Sequence, residues 1–139
     1  MKIAVVGGGN GAYAAAVDFA SLGHEVRLWR RDAEALEESA TLTLKDTTGQ
    51  RNFQVSNSPD LGQALQGAEL VFMPDPAFTQ ADNAKRIAPH LAGGQVVFLA
   101  PGTFGSYVMA KIIREAGNRA DFAFAETGTL PWLTRKHGP

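Results

Sequence analysis

Two short stretches carry residue types suited to holding a phosphorylated ligand. Gly7-Gly8-Gly9-Asn10-Gly11-Ala12 is a glycine-rich turn, and Arg30-Arg31 places two guanidiniums further along the chain. The glycine spacing fits the G-x-G-x-x-G/A pattern of dinucleotide-binding turns. In that pattern Gly7 lets the chain turn sharply out of a strand, and Gly9 lets a pyrophosphate approach the backbone. Ala12 takes the third position, where a small residue allows the following helix to sit close to the sheet. Gly11 lies within the same turn and counts among the cofactor residues. Asn10 has two compatible roles, donating to phosphate or supporting the turn. The helix that follows would aim its free N–H groups and positive dipole end at the phosphates.

The choice of nucleotide rests on the arginines. An NAD-preferring domain places Asp or Glu about twenty residues after the glycines, where the carboxylate accepts from the ribose 2′-hydroxyl. Arg30 and Arg31 stand there instead. A guanidinium cannot accept from a hydroxyl but pairs in a bidentate way with a 2′-phosphate. The expected cofactor is therefore NADP, with NAD as the alternative if both arginines are merely solvated surface charges. Asp32 comes late for a ribose ligand and reads better as the N-cap of a helix over Ala33–Ser39.

These stretches need particular elements to position them. Ile3-Ala4-Val5-Val6 is an apolar run suited to a buried strand, Tyr13–Leu22 is alanine-rich and helical, and Glu25–Trp29 is a second strand. Ala15, Ala16, Phe19 and Ala20 fall near helical spacing and can cover the sheet. Further on, Thr41–Lys45 and Arg51–Val55 alternate around a turn at Asp46–Gly49, which predicts a hairpin. One arm of it is placed to be the third strand. Ser58-Pro59-Asp60 starts a short helix. Strands are then predicted at Glu69–Met73, Gln95–Leu99 and Phe122–Ala125, with helices at Ala77–Leu91 and Tyr107–Ala116 between them.

Strands alternating with helices imply a Rossmann-type α/β fold, a doubly wound parallel sheet in three αβα layers with a hairpin insertion. Ligands of such sheets sit outside the carboxyl ends of the strands. Three loops should line that cleft: Gly7–Ala12, Pro74–Phe78 with Pro76 and Phe78, and Pro101–Thr103 with Pro101, Gly102 and Thr103. Phe78 suits either a stacking role near the nucleotide or a place in the core. The last strand delivers Glu126 to the same rim.

The chain of 139 residues fits one domain, residues 1–139, with 45% hydrophobic residues and a net charge of −1. No basic run suggests nucleic acid, and no apolar stretch approaches membrane-spanning length. The chain has no cysteine, so disulfides, thiol catalysis and thiolate metal sites are excluded. The three histidines lie far apart and suggest no metal site. The amino terminus reads as a strand rather than a signal peptide, which makes the cytoplasm the expected compartment.

The ordered pieces Gly7–Ala12, Gly23-His24-Glu25-Val26, Pro76-Ala77-Phe78, and Glu126-Thr127 followed by Leu130-Pro131-Trp132 and Arg135 resemble the opine (octopine/nopaline) dehydrogenase family. The last piece is the most diagnostic, since a Rossmann domain in general has no need of it. Glycerol-3-phosphate dehydrogenase and ketopantoate reductase are similar in the glycine turn but lack that ending. The resemblance covers essentially the whole chain as the family's N-terminal cofactor domain. It implies reductive condensation: an amino acid's amine and a 2-keto acid form an imine, which hydride from NAD(P)H reduces to a secondary amine.

The resemblance also implies a helical C-terminal domain that supplies the catalytic His and Asp and is absent from this chain. His24, His90 and His137 do not match the family's catalytic position. The chain is then expected to bind NADP(H) without being catalytically competent alone. Leu130–Leu133 forms an apolar cluster suited to contact with that missing domain, or to self-association. Glu126 either orients cofactor or substrate or, with Arg135, braces the exit segment. The competing readings are a stand-alone NADPH-sensing module and the cofactor half of an enzyme acting on glycerol 3-phosphate or ketopantoate.

Overall fold

In the computed structural model, which describes residues 1–31 and 39–137, the first strand β1 spans Lys2–Val6. Its side chains alternate between two faces, as strand geometry requires. Ala4 and Val6 enter one apolar cluster, and Ile3 and Val5 enter the other. A strand buried on both faces reads as an uninterrupted apolar run, and β1 does.

The glycine turn leads into helix α1, Asn10–Ser21, and then β2, Glu25–Trp29. A hairpin follows, made of β3, Ser39–Asp46, and β4, Gly49–Asn57. The short helix α2, Leu61–Leu65, is capped by Asp60, which accepts from the Gln63 backbone N–H. Strand β5 is Leu70–Met73. A single 3-10 turn, Ala77–Thr79, leads into α3, Gln80–Ile87. Strand β6 is Val96–Leu99, α4 is Gly105–Glu115, and β7 is Ala123–Glu126.

The strands form one seven-stranded sheet in the order β3-β4-β2-β1-β5-β6-β7. Every pairing is parallel except that between β3 and β4. The hairpin and the doubly wound α/β fold are as the sequence pattern predicts. Strand β4 is the arm that returns to the sheet, with Arg27 opposite Ser56 and Leu28 opposite Asn57. The chain winds outward on both sides of β1, so the strand order reverses beside β1 and β5. That reversal opens a crevice at their carboxyl ends.

Helices α2, α3 and α4 cover one face, where Leu65, Ile87, Leu99, Met109 and Ile113 are fully buried. Each such side chain contributes roughly 1.5–3 kcal/mol through removal from water. The other face is covered by α1, with Ala15 and Ala16 against the sheet. Among the described residues, the C-terminal segment adds to that cover. Trp132 and Leu130 pack on that cluster, and the Trp132 ring lies edge-on to Phe19 at 6.1 Å and Phe72 at 5.6 Å.

Helix boundaries shift from the sequence reading: α4 spans Gly105–Glu115 rather than Tyr107–Ala116, and α3 starts at Gln80, after the 3-10 turn, rather than at Ala77. Helix α1 begins at Asn10 rather than Tyr13, because Gly9 adopts an extended N-cap conformation and its carbonyl accepts from Ala12 and Tyr13. Helix α3 ends at Ile87 rather than Leu91. Pro89 has no N–H with which to continue the ladder, and His90 and Leu91 both bond back to the Ile87 carbonyl. The helix expected over Ala33–Ser39 falls on residues outside those described, save Ser39, which opens β3. Among the described residues, no helix is long and apolar enough to cross a membrane.

Candidate functional site

The crevice holds a cleft of about 270 Å³ at the carboxyl ends of β1, β2 and β5. Gly7 and Gly8 form its floor, Trp29, Arg30 and Arg31 one wall, and Asp75, Thr79 and Asn83 the other. Gly7 has φ +141° and donates its N–H to the Trp29 carbonyl at 2.8 Å. The Asp75 carboxylate, as it stands, also crowds the position of a side chain there. A Cβ there would lie 2.6 Å from Asp75 Oδ1, closer than real carbon–oxygen contacts allow.

Gly9 differs. A Cβ built on it meets nothing within 4 Å, so the space above the helix start is open. No side chain caps α1 there, and the first N–H groups of a helix have no intrahelical acceptor. The backbone N–H groups of Asn10 and Gly11 are thereby placed for an anion. Gly11 also has a packing role, since a Cβ on it would come within 3.0 Å of Leu130 and 3.1 Å of Pro74. Ala12 is buried against the sheet, the small contact expected at the third position of the pattern.

Asn10 turns toward the chain's own tail: its Oδ1 accepts from the Lys136 backbone N–H at 3.0 Å. Lys136 Nζ lies 4.5 Å from the Tyr13 ring centroid, and the Tyr13 hydroxyl accepts from Arg30 at 2.8 Å. The stem of Arg30 rests on Gly8, whose Cβ position is 3.2 Å from Arg30 Cβ. Arg30 is thus fixed over the glycine turn, while Arg31 lines the same cleft with its side chain exposed. Asp32 lies outside the described residues.

Asp75 lies in the predicted rim loop Pro74–Phe78, where no local pattern singles it out. Its Oδ2 accepts from Asn83 Nδ2 at 3.0 Å. Burial pushes its carboxyl above the ordinary value, outweighing the Asn83 hydrogen bond and the charge of Arg31, which both pull it down. Pro76 and Phe78 stand on the rim beside it. The Phe78 ring is 86% exposed, so it belongs to the surface and not to the core.

The third rim loop is held from both sides. Buried Gln80 donates from Nε2 to the carbonyls of Pro101 and Gly102, at 3.3 and 2.8 Å. Opposite, Glu126 accepts from the backbone N–H of Phe104 and of Ser106, each at 3.1 Å. Those bonds, led by the one from Ser106, hold its carboxyl below the ordinary value. A Cβ on Gly102 would lie 2.2 Å from Glu126 Cβ. Thr103 and Phe104, neither of them glycine, both adopt positive φ, 54° and 61°, a conformation that the surrounding contacts must over-determine. Glu126 therefore caps α4 and fixes this loop. Among the described residues, Glu126 and Arg135 form no ion pair with each other.

The C-terminal segment is largely consumed within the domain. Trp132 Nε1 donates to Asp18 Oδ2 at 3.1 Å, and Leu130 fits against Gly11 and Pro74. Of the apolar cluster Leu130–Leu133, Leu133 stays fully exposed. His24 precedes β2 and bonds to Phe19 through its backbone, and His90 lies against Gly62. Both are remote from the cleft.

Comparison with known proteins gives consistent results. The family described as NAD-dependent glycerol-3-phosphate dehydrogenase N-terminus matches residues 2–123. An opine dehydrogenase from Arthrobacter sp. (strain 1C) is 30% identical over 98% of this chain and 39% of its own length. A glycerol-3-phosphate dehydrogenase [NAD(P)+] from Nitratidesulfovibrio vulgaris (strain DP4) is 32% identical over 72% of this chain and 31% of its own. The solved structure of an octopine dehydrogenase in complex with NADH and agmatine superposes with a TM-score of 0.75 at 24% identity, over 97% of this chain and 37% of that one. The chain thus spans well under half the length of these relatives.

Proposed function

Because the chain belongs to the family of NAD-dependent glycerol-3-phosphate dehydrogenase N-terminal domains, we propose that it is the cofactor-binding part of an opine-dehydrogenase-like oxidoreductase, and that it prefers NADP(H). The observation that carries the opine reading is the extent of similarity. The family match stops at residue 123, whereas the opine dehydrogenase relative extends over 98% of the chain, and so into the docked segment with Leu130, Trp132 and Arg135.

The residues present fit a dinucleotide. Open space over Gly9 and the uncapped start of α1 suit a pyrophosphate. Arg30, held by Tyr13, and Arg31 suit a 2′-phosphate. Gly7 and Ala12 allow the turn and its packing, and Asn10 and Gly11 offer their backbone N–H groups. Pro76 and Phe78 stand on the rim loop after β5, where Phe78 suits stacking near the adenine or the nicotinamide ribose. Pro101, Gly102 and Thr103, braced by Glu126, stand on the rim loop after β6.

When bound, the dinucleotide supplies the hydride that reduces the carbon–nitrogen double bond of an imine formed from an amino acid and a 2-keto acid. This chain's own residues bind and orient it. We assign no proton-transfer role to the described rim residues. A second reading, reduction at a carbonyl as in glycerol-3-phosphate dehydrogenases, is favoured by the family match and by the Nitratidesulfovibrio relative. It shares the same cofactor half.

The test is a pair of fluorescence titrations with NADPH and NADH, since Trp29 lines the cleft beside Arg30. NADPH is expected to bind about tenfold more tightly, a difference of about 1.4 kcal/mol. Arg30→Ala should abolish that difference. Equal affinities in the wild-type chain would overturn the NADP preference.

A further inference from the structure

We propose that Asp75 is the opposing charge that limits this cleft's preference for a 2′-phosphorylated dinucleotide. The inference rests on the arginine reading above and refines it. Asp75 shares one wall-to-wall cleft with Arg30 and Arg31, and its carboxylate is pressed against the glycine turn, 2.6 Å from the Cβ position of Gly7. Asn83, itself buried, fixes its other oxygen.

The hydrogen bond that Asp75 accepts from Asn83 is one that a neutral amide oxygen could also accept. Burial disfavours its charged form, so its ionised state opposes folding rather than aiding it. Strand β5 ends at Met73 without it, and among the described residues it caps no helix. Groups kept at such a cost cluster at functional sites.

The function follows from charge. With Asp75 ionised, an anion lines the same cleft as Arg30 and Arg31, close enough to Arg31 for their charges to interact, and the net field that a dianionic 2′-phosphate meets is weakened. A ribose 2′-hydroxyl carries no charge to repel. Asp75 therefore costs NADPH affinity and leaves NADH affinity nearly unchanged, which draws the two cofactors toward equal use.

The experiment measures NADPH and NADH dissociation constants by fluorescence at about pH 8, well above the ordinary carboxylate range. It uses the wild-type chain, Asp75→Asn and Arg31→Ala, with thermal melts to confirm folding. Asp75→Asn keeps the size of the side chain and removes its charge. It should raise the NADPH-over-NADH preference about tenfold, almost wholly through NADPH. Asp75→Ser, with less bulk against Gly7, should shift the preference the same way and serves if the first variant is unstable.

An unchanged or lowered preference in these variants, with Arg31→Ala still weakening NADPH selectively, would overturn the role of Asp75 and leave the arginine reading standing. If Arg31→Ala and Arg30→Ala both leave the preference untouched, the arginine reading fails and this proposal fails with it.

Discussion

Replacing Gly102 by alanine should destabilise the domain through one contact. Gly102 is absent from the residues with positive φ, so alanine meets no backbone strain there. The added methyl instead lies 2.2 Å from Glu126 Cβ and 2.4 Å from Oε2, where carbon atoms normally stay about 3.5–4.0 Å apart. Relief requires the loop to move away from β7 by more than about 1 Å. That movement breaks the bond from Gly102 to the Thr127 carbonyl at 2.8 Å and the two bonds to the Glu126 carboxylate. At about 1 kcal/mol net for each bond, the loss is about 3 kcal/mol. For a domain of this size that lowers Tm by roughly 10 °C.

The assay is thermal unfolding followed by circular dichroism, with Gly9→Ala as the control. Gly9 has open space and an extended conformation, so its alanine variant should melt within about 2 °C of wild type. Glu126→Ala should not rescue Gly102→Ala, because the closest clash is Cβ to Cβ and alanine keeps that atom. A Gly102→Ala melt indistinguishable from wild type would refute the reasoning. So would an equal loss in Gly9→Ala.

Trp132→Ala should cost about 2–3 kcal/mol, less than a fully buried aromatic, and should expose Phe72 and Phe19, read as increased binding of a hydrophobic dye. Gln80→Leu leaves the Pro101 and Gly102 carbonyls without their donor and should lower stability by about 1–2 kcal/mol in denaturant titration. The Glu126 carboxyl is held below its ordinary value by the Ser106 and Phe104 bonds, so its stabilisation is present above the ordinary carboxylate pKa and is lost as pH falls through the lowered one. Glu126→Gln should therefore flatten the acid side of a Tm-against-pH curve. Asp75 has the opposite sign: with its pKa raised by burial, protonation on lowering pH removes a penalty, and Asp75→Asn should gain stability mainly near neutral pH.

The parts of the fold fixed by local pattern were legible in the sequence. The apolar run of β1, the glycine turn, β2 and the alternating hairpin each declare themselves within a few residues. The end of α3 was missed although Pro89 marks it, since the apolar spacing of Ile87 and Leu91 runs past the proline. The docking of Trp132 was not legible, because hydrophobicity says that a ring needs cover and not which face supplies it. Here the tail supplies cover for Phe72 on β5. The roles of Gln80, Asp75 and Glu126 were hidden for a related reason. Each acts on backbone or charge supplied by another element, as when Glu126 caps a helix that begins at Gly105. No local motif announces a cap that arrives from the next strand.

The central claim is that the start of α1 and the end of β2 together hold the phosphates of a dinucleotide. The most direct measurement is a backbone amide chemical-shift map of the chain on addition of NADPH. The account predicts that the largest changes fall on Gly8–Ala12 and on Arg30 and Arg31, with those at the arginines reduced when NADH is used instead. Changes confined to other loops, or none at saturating NADPH, would contradict it.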